Sequence, residues 1–272
     1  MSDQLTPRTR VALEIVVPVY NEERALPVCI DLLTKTLEQQ RDLTWSILIA
    51  DNGSIDSTQE VAEALAALHP GRVQVLRLEQ KGRGRALRAA WLRSTADVVA
   101  YTDVDLSTNL QHLLPLVQPL LEGRAQVATG NRLMRGADVQ RQLKREVVSR
   151  CYNLLVKLFF PRRKVTDMQC GFKALTREVV SDVVPLVQDE SWFFDTELLL
   201  LAEQKGYAMH QIPVQWVEDL DSRVRIIRTA IDDIKGLIRL RRTLGKRVAT
   251  KAHLDHTNSP SGARLETSTS RT

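Results

Sequence analysis

Four short runs of aliphatic and β-branched residues, Leu13 to Pro18, Trp45 to Ala50, Val73 to Leu78 and Asp97 to Thr102, recur along the first hundred residues. Each has strand length and is mostly apolar without strict alternation, the pattern of strands covered on both faces. Helical patterns lie between them at Glu22 to Glu38, Ser57 to Leu68 and Gly84 to Ser94, the second introduced by Asp56 and Ser57 as capping residues. Strand and helix alternating at this spacing predict an α/β fold: a mainly parallel sheet with crossover helices.

A fifth strand, Ala125 to Gly130, follows a helix ending near Glu122 and Gly123, and then the alternation breaks. Val139 to Phe160 reads as a long helix, Cys170 to Thr176 as a strand, Ser191 to Gln204 as a helix and Ala208 to Val217 as a last strand. From Thr250 onward nine residues are Ser or Thr and four are apolar, which predicts a disordered tail. The expected organisation is an extension at 1–10, a catalytic domain at 11–222, a basic amphipathic helix at 223–249 and the tail at 250–272.

Charge sharpens that division. The chain carries a net +5, yet Arg223 to Lys251 holds ten basic residues against two acidic ones and residues 252–272 are neutral, which leaves residues 1–222 at −3. A nucleic-acid protein spreads its cations over a binding face, so this concentrated charge argues for no nucleic-acid partner. The longest stretch free of charged residues, Leu106 to Leu121, is too short and too polar to span a bilayer. Met1 to Arg10 has no apolar core of a secretory signal. Three cysteines without a CxxC pair predict reduced, structural thiols and a cytoplasmic protein. His69, His112, His210, His253 and His256 lack metal-ligand spacing.

Ligands of open parallel sheets bind at the carboxyl ends of the strands. There the sequence places Pro18-Val19-Tyr20-Asn21-Glu22-Glu23, Asp51-Asn52-Gly53-Ser54 and Thr102-Asp103-Val104-Asp105, three polar clusters on one rim. An isolated Asp-Val-Asp equally caps a helix or sits in solvent. At the end of an interior strand, alternate carboxylates in an extended segment reach one hard cation, Mg²⁺ or Mn²⁺, which also takes phosphate oxygens of a substrate and neutralises a departing diphosphate.

The segments PVYNEE, ADNGSIDST, KGRGRALRAA and the DVD at 103–105 resemble glycosyltransferase family 2 enzymes of GT-A fold. Gly130-Asn131-Arg132, Thr166 to Lys173, Phe194 to Leu198 and Trp216 through Arg223 resemble the branch of dolichyl-phosphate β-glucosyltransferases and dolichol-phosphate mannose synthases. The resemblance implies that Pro18, Tyr20 and Glu22 line a nucleotide-sugar pocket, that Asp51 contacts the base, and that Lys81, Gly82 and Gly84 form a turn near the nucleotide. It implies metal and diphosphate binding by Asp103 and Asp105, acceptor-phosphate binding by Arg132, Arg145, Ser149, Lys173 and Arg223, and sugar binding or base catalysis by Asp195 and Glu197. Bland roles stand beside these: Tyr20 as a core aromatic, Glu22 as a first-turn carboxylate, Gly82 and Gly84 as ordinary turn glycines.

The implied reaction moves a monosaccharide from a nucleotide sugar to a polyprenyl phosphate with inversion. UDP-glucose or a UDP-N-acetylhexosamine is favoured as donor, with GDP-mannose the alternative; a non-catalytic membrane or nucleic-acid adaptor is the reading from another class. Val147 to Phe160 fits either a helix in the plane of a membrane interface or a buried helix. In the basic segment, Ile227, Ala230, Ile231, Ile234, Ile238 and Leu244 share a predicted apolar face, with cations on another suited to an anionic membrane surface. The absence of the transmembrane segments of related enzymes favours a prokaryotic peripheral enzyme on the cytoplasmic face of the cell membrane, with room for a separate membrane protein partner.

Overall fold

The computed structural model describes residues 11–140, 142–218 and 230–244. The expectations for 1–10, for Arg223 and Ile227 and for the tail at 250–272 lie outside the described residues, as does the side chain of Arg145. The predicted alternation is present as β1 (Leu13–Val19), α1 (Ala25–Glu38), β2 (Trp45–Asp51), α2 (Thr58–Leu68), β3 (Val73–Arg77), α3 (Arg83–Arg93) and β4 (Val98–Thr102). β1 lies between β2 and β4 and is parallel to both, with Leu13 opposite Trp45 on one side and Val98 on the other. Asp56, not Ser57, caps α2: its Oδ1 accepts the Thr58 N–H at 3.1 Å and the Thr58 hydroxyl at 2.5 Å.

α4 (Leu113–Leu121) leads into β5 (Val127–Asn131). The sheet then departs from a parallel order. β7 (Phe172–Thr176) inserts antiparallel between β4 and β5, so the seven strands run β3-β2-β1-β4-β7-β5-β8. A buried apolar run carries no mark of strand direction, which is why the sequence is silent on this reversal. Its effect is positional: Thr102, last in β4, pairs with Phe172, first in β7, so residues before β7 arrive at the rim where β4 ends.

The strand predicted at 208–217 is two strands. β8 (Met209–Pro213) pairs with β5, and Pro213, with no N–H to donate, ends that ladder. β9 (Gln215–Val217) joins β6 (Asp138–Gln140) in a separate two-stranded sheet, so α5 begins at Leu143 and runs to Phe159. α6 (Arg177–Val183) and α7 (Phe194–Gln204) complete the helices before residues 230–244, called α8.

Helices cover both faces of the sheet. In β1, Leu13, Ile15, Val17 and Val19 pack toward α1 and α4, while Val16 packs toward α3 and α7. β4 alternates likewise, which sends Tyr101 to the α3 and α7 side against Trp91, 5.8 Å between ring centroids. α8 docks on that same side, by a face other than the apolar row expected to meet a membrane. Asp233, Gly236, Leu237 and Leu240 are buried, whereas Ile231, Ile234 and Ile238 are exposed. Gly236 decides the orientation, because any Cβ there would overlap the ring of Phe193.

Candidate active site

The loops after β1 and β2 are latched together. Asn21 has φ 58°, a left-handed conformation that Asn tolerates, and its Oδ1 accepts the Ile55 N–H at 2.9 Å while its own N–H donates to Ser54 Oγ at 3.0 Å. The Glu22 N–H donates to Thr58 Oγ1 at 2.7 Å. Asp51 is fully buried; its Oδ1 accepts the Ser54 N–H at 3.0 Å and its Oδ2 pairs with Arg77 at 3.2 Å. Asp51 therefore holds its loop, a role the base-contact expectation did not include. Gly53 turns the loop at φ 74°.

Lys81 rides over the Tyr20 ring with its ammonium 3.4 Å from the centroid, a cation–π contact that joins the β1 loop to the entry of α3. Pro18, Tyr20 and Glu22 are all partly exposed beside it. Gly82 and Gly84 are more than turn formers. A Cβ on Gly82 would sit 2.7 Å from the Glu190 carbonyl oxygen, and one on Gly84 would sit 2.6 Å from Phe194 Cβ. The Gly82 N–H also donates to Asn52 Oδ1 at 2.6 Å.

Between these glycines stands Arg83, the organiser of the rim. Its Nη1 pairs with Asp195 Oδ2 at 2.7 Å and its Nη2 with Asp103 Oδ1 at 2.8 Å, with the Tyr101 hydroxyl 3.2 Å away. Asp195 is almost completely buried, and its Oδ1 accepts from Tyr101 at 2.7 Å and lies 3.2 Å from Lys173 Nζ. Burial alone would raise the Asp195 pKa, but Lys173 and Arg83 beside it reverse the effect and hold it below the ordinary carboxylate value. Both of its oxygens are engaged, Oδ2 with Arg83 and Oδ1 with Tyr101 and Lys173.

Two further expectations are corrected here. Lys173 is fully buried, and its amine also donates to the Cys170 carbonyl, so it is a counter-ion inside the cluster and is not open to an acceptor phosphate. Glu197, two residues beyond Asp195 on α7, points elsewhere: it accepts the N–H groups of Gln188 and Asp189 at 3.1 and 2.9 Å and pairs with Arg239 of α8 at 2.6 Å. It fastens a loop and a helix instead of a sugar. Arg132 closes on Asp167 through two guanidinium nitrogens, and the pair is stacked near Trp216. Ser149 is partly buried on α5, where its carbonyl accepts from Asn153 at 3.0 Å.

Asp103 and Asp105 follow β4 at the rim. Asp103 has 37% of its side chain exposed, and Asp105 is exposed with Oδ1 accepting the Ser107 N–H at 2.9 Å. Gly171, delivered by the start of β7, lies directly against the Asp103 carboxylate; a Cβ there would collide with Oδ2. Among the described residues no group of three or more His, Cys, Asp or Glu side chains could hold a metal. Asp103 and Asp105 themselves are hard oxygen donors, of the kind that suits a divalent cation. Burial pushes the Cys170 thiol up to about 12, a neutral packing group as expected.

Sequence reasoning passed over Arg83 and Tyr101. A signal existed for Tyr101: strand alternation puts it on the same face as Asp103. Arg83 was legible only as the one long side chain between two glycines.

A mixed sheet with helices on both faces, with paired carboxylates, glycine-supported turns and an arginine gathered at its carboxyl rim, defines a GT-A glycosyltransferase. The chain belongs to glycosyl transferase family 2, whose profile matches residues 14–184. It is 36% identical over 229 residues to the glycosyltransferase AglD of Haloferax volcanii, covering 84% of this chain and 36% of that protein. It is 33% identical to the dolichyl-phosphate beta-glucosyltransferase of Drosophila melanogaster, covering 76% of this chain and 67% of that one. Among solved structures, glucosyl-3-phosphoglycerate synthase from Mycobacterium tuberculosis in complex with UDP superimposes with a TM-score of 0.63 at 20% identity, over 85% of this chain and 80% of that one, a likeness of fold.

Proposed function

We propose that this glycosyltransferase moves a hexose from a UDP-sugar, UDP-glucose foremost, to a polyprenyl phosphate. What carries the reading is the Asp103 and Asp105 pair at the end of an interior strand, beside Tyr20, Lys81 and Arg83, in a chain similar over 76% of its length to a protein named dolichyl-phosphate beta-glucosyltransferase. A phosphate monoester has its second pKa near about 6 and is already anionic at neutral pH, so the nucleophile needs positioning more than deprotonation. Its oxygen attacks the anomeric carbon from the face opposite the nucleotide. The bond from that carbon to the diphosphate oxygen breaks, and the electron pair departs on the diphosphate with inversion at carbon. Mg²⁺ or Mn²⁺, held by Asp103 and Asp105, supplies charge neutralisation for that leaving group. The commitment of Asp195 to Arg83, Tyr101 and Lys173 agrees with a reaction that requires no side-chain base.

The acceptor is a lipid, and two exposed apolar rows support a place for the protein at a membrane surface. α5 exposes Val147, Cys151, Leu154 and Leu158 at helical spacing, and α8 exposes Ile231, Ile234 and Ile238. The two helices meet where Arg241 donates to the Phe159 carbonyl at 3.0 Å. No helix among the described residues is long and apolar enough to cross a membrane. The proposal is peripheral attachment at the cytoplasmic face, through these apolar rows and neighbouring cations, each contributing about 1 kcal/mol near anionic lipid.

Incubation with membranes and a panel of labelled nucleotide sugars, followed by lipid extraction, tests the reaction. Label from UDP-glucose is expected in the lipid phase, and Asp105→Ala is expected to abolish it; label only from GDP-mannose would replace the donor, and undiminished transfer by Asp105→Ala would remove the metal assignment. Sedimentation with anionic liposomes at low salt tests attachment, which is withdrawn if the protein stays in the supernatant.

A further inference from the structure

Asp103 is engaged before any substrate arrives. Its Oδ1 pairs with Arg83 at 2.8 Å, and its Oδ2 is pressed against Gly171, where not even a Cβ would fit. Arg83 is firmly seated. Its side chain is 12% exposed, it is held from the far side by buried Asp195 at 2.7 Å, and its guanidinium lies 5.0 Å from the Tyr101 ring centroid and 5.1 Å from that of Trp192. Charge-assisted bonds of this kind, partly shielded from water, are stronger than surface pairs. A divalent cation that takes Asp103 must share a carboxylate whose Oδ1 already accepts from a cation.

The local charge points the same way. Asp103 and Asp195 share Arg83, and Asp195 also meets Lys173, two negative groups against two positive. A divalent cation alone would turn this to a net positive cluster in a partly buried place, which is costly. A cation together with a doubly negative diphosphate leaves the balance unchanged.

We propose that Arg83 is an internal counter-cation that competes with the metal for Asp103, so that metal and nucleoside diphosphate are taken up together and not metal first. Released from Asp103 but still tethered by Asp195, the guanidinium fork turns to the anionic oxygens of the diphosphate, a geometry that suits it. This rests on the metal reading above and adds a residue and an order to it.

The test is Mn²⁺ binding, read by the electron paramagnetic resonance signal of the free ion, for wild type and Arg83→Met with and without UDP. Arg83→Met is expected to bind Mn²⁺ alone about 5- to 10-fold more tightly than wild type. The gain in Mn²⁺ affinity conferred by UDP is expected to shrink by a similar factor, since coupling between two ligands is reciprocal. Arg83→Lys keeps the charge and is expected to behave like wild type toward Mn²⁺ alone. Should Arg83→Met fail to fold, Arg83→Gln removes the charge while keeping a donor to Asp103 and is expected to give the same tightening. Unchanged or weaker Mn²⁺ binding by a folded neutral variant overturns the competition while leaving the metal reading intact. Absence of Mn²⁺ binding by wild type even with UDP overturns both.

Discussion

Arg132 meets Asp167 fork to fork, Nε to Oδ2 at 2.7 Å and Nη2 to Oδ1 at 2.9 Å, and the Arg132 backbone N–H adds a third bond to Oδ2 at 3.0 Å. Asp167 is fully buried and Arg132 nearly so, which makes each the other's main compensating charge. Asp167→Asn would strand a guanidinium, and we expect a loss of about 3–5 kcal/mol in urea unfolding.

The same pair sets an acid limit. Burial would raise the Asp167 carboxyl, but Arg132 outweighs it and holds the group at about 2 instead of 3.8. A lowered folded pKa contributes stability that is complete above the unfolded value and is lost as pH falls through the folded one. Between pH 4 and 2 wild type is expected to lose roughly 2 kcal/mol through this group, and unfolding curves of Asp167→Asn are expected to lack that component.

Gly171→Ala probes the contact beneath Asp103. The added Cβ would overlap Oδ2, so the carboxylate must swing away while the strand stays paired. Melting is expected to shift little and glycosyl transfer to fall at least tenfold, about 1.4 kcal/mol in transition-state stabilisation. Parallel calorimetry and transfer assays check this, and a large loss of stability with normal specific activity would contradict it.

Asp195 and Glu197 are close in sequence and should fail differently. Glu197→Gln loses an anion that accepts two backbone N–H groups and Arg239, so unfolding free energy is expected to drop by about 2–3 kcal/mol and hydrogen exchange to rise in α8. Asp195→Asn loosens Arg83, and its larger effect is expected in transfer rate. Unfolding and kinetics on both variants separate the roles.

Asp233 gives the protein an alkaline weakness. Burial on α8 raises its carboxyl from 3.8 to about 7, partly relieved by Gln169, with Asp189 and Asp232 adding repulsion. For an acid raised in the folded state, the stabilising protonated form is present below the unfolded pKa and lost as pH rises through the folded one. Stability is expected to decline from pH 4 to 8, and Asp233→Asn to flatten that decline with a gain of up to about 4 kcal/mol at pH 8. Thermal melts across that range decide it.

The strands before residue 131 were legible because buried parallel strands need continuous apolar runs, and their carboxyl ends announced the rim. Direction and partnership were not. Nothing in Phe172 to Thr176 says that it runs backwards, and nothing in the basic segment said that Gly236 would choose the docked face over Ile231, Ile234 and Ile238. Asp195, Glu197, Lys173 and Arg132 all lie near the rim or its supports, yet what each touches depends on helix phase and on partners far along the chain.

The reversed strand also makes one stretch of the chain portable. Because β5 ends, and β7 starts, at the same rim of the sheet, everything from Arg132 to Gly171, including β6 and α5, leaves and returns through neighbouring points without interrupting the seven-stranded sheet, and its own strand, β6, pairs with β9 outside that sheet. An excursion anchored this way can vary on its outer side, where Val147, Leu154 and Leu158 are exposed, while Tyr152, Val156 and Met168 stay fixed in the core beneath it.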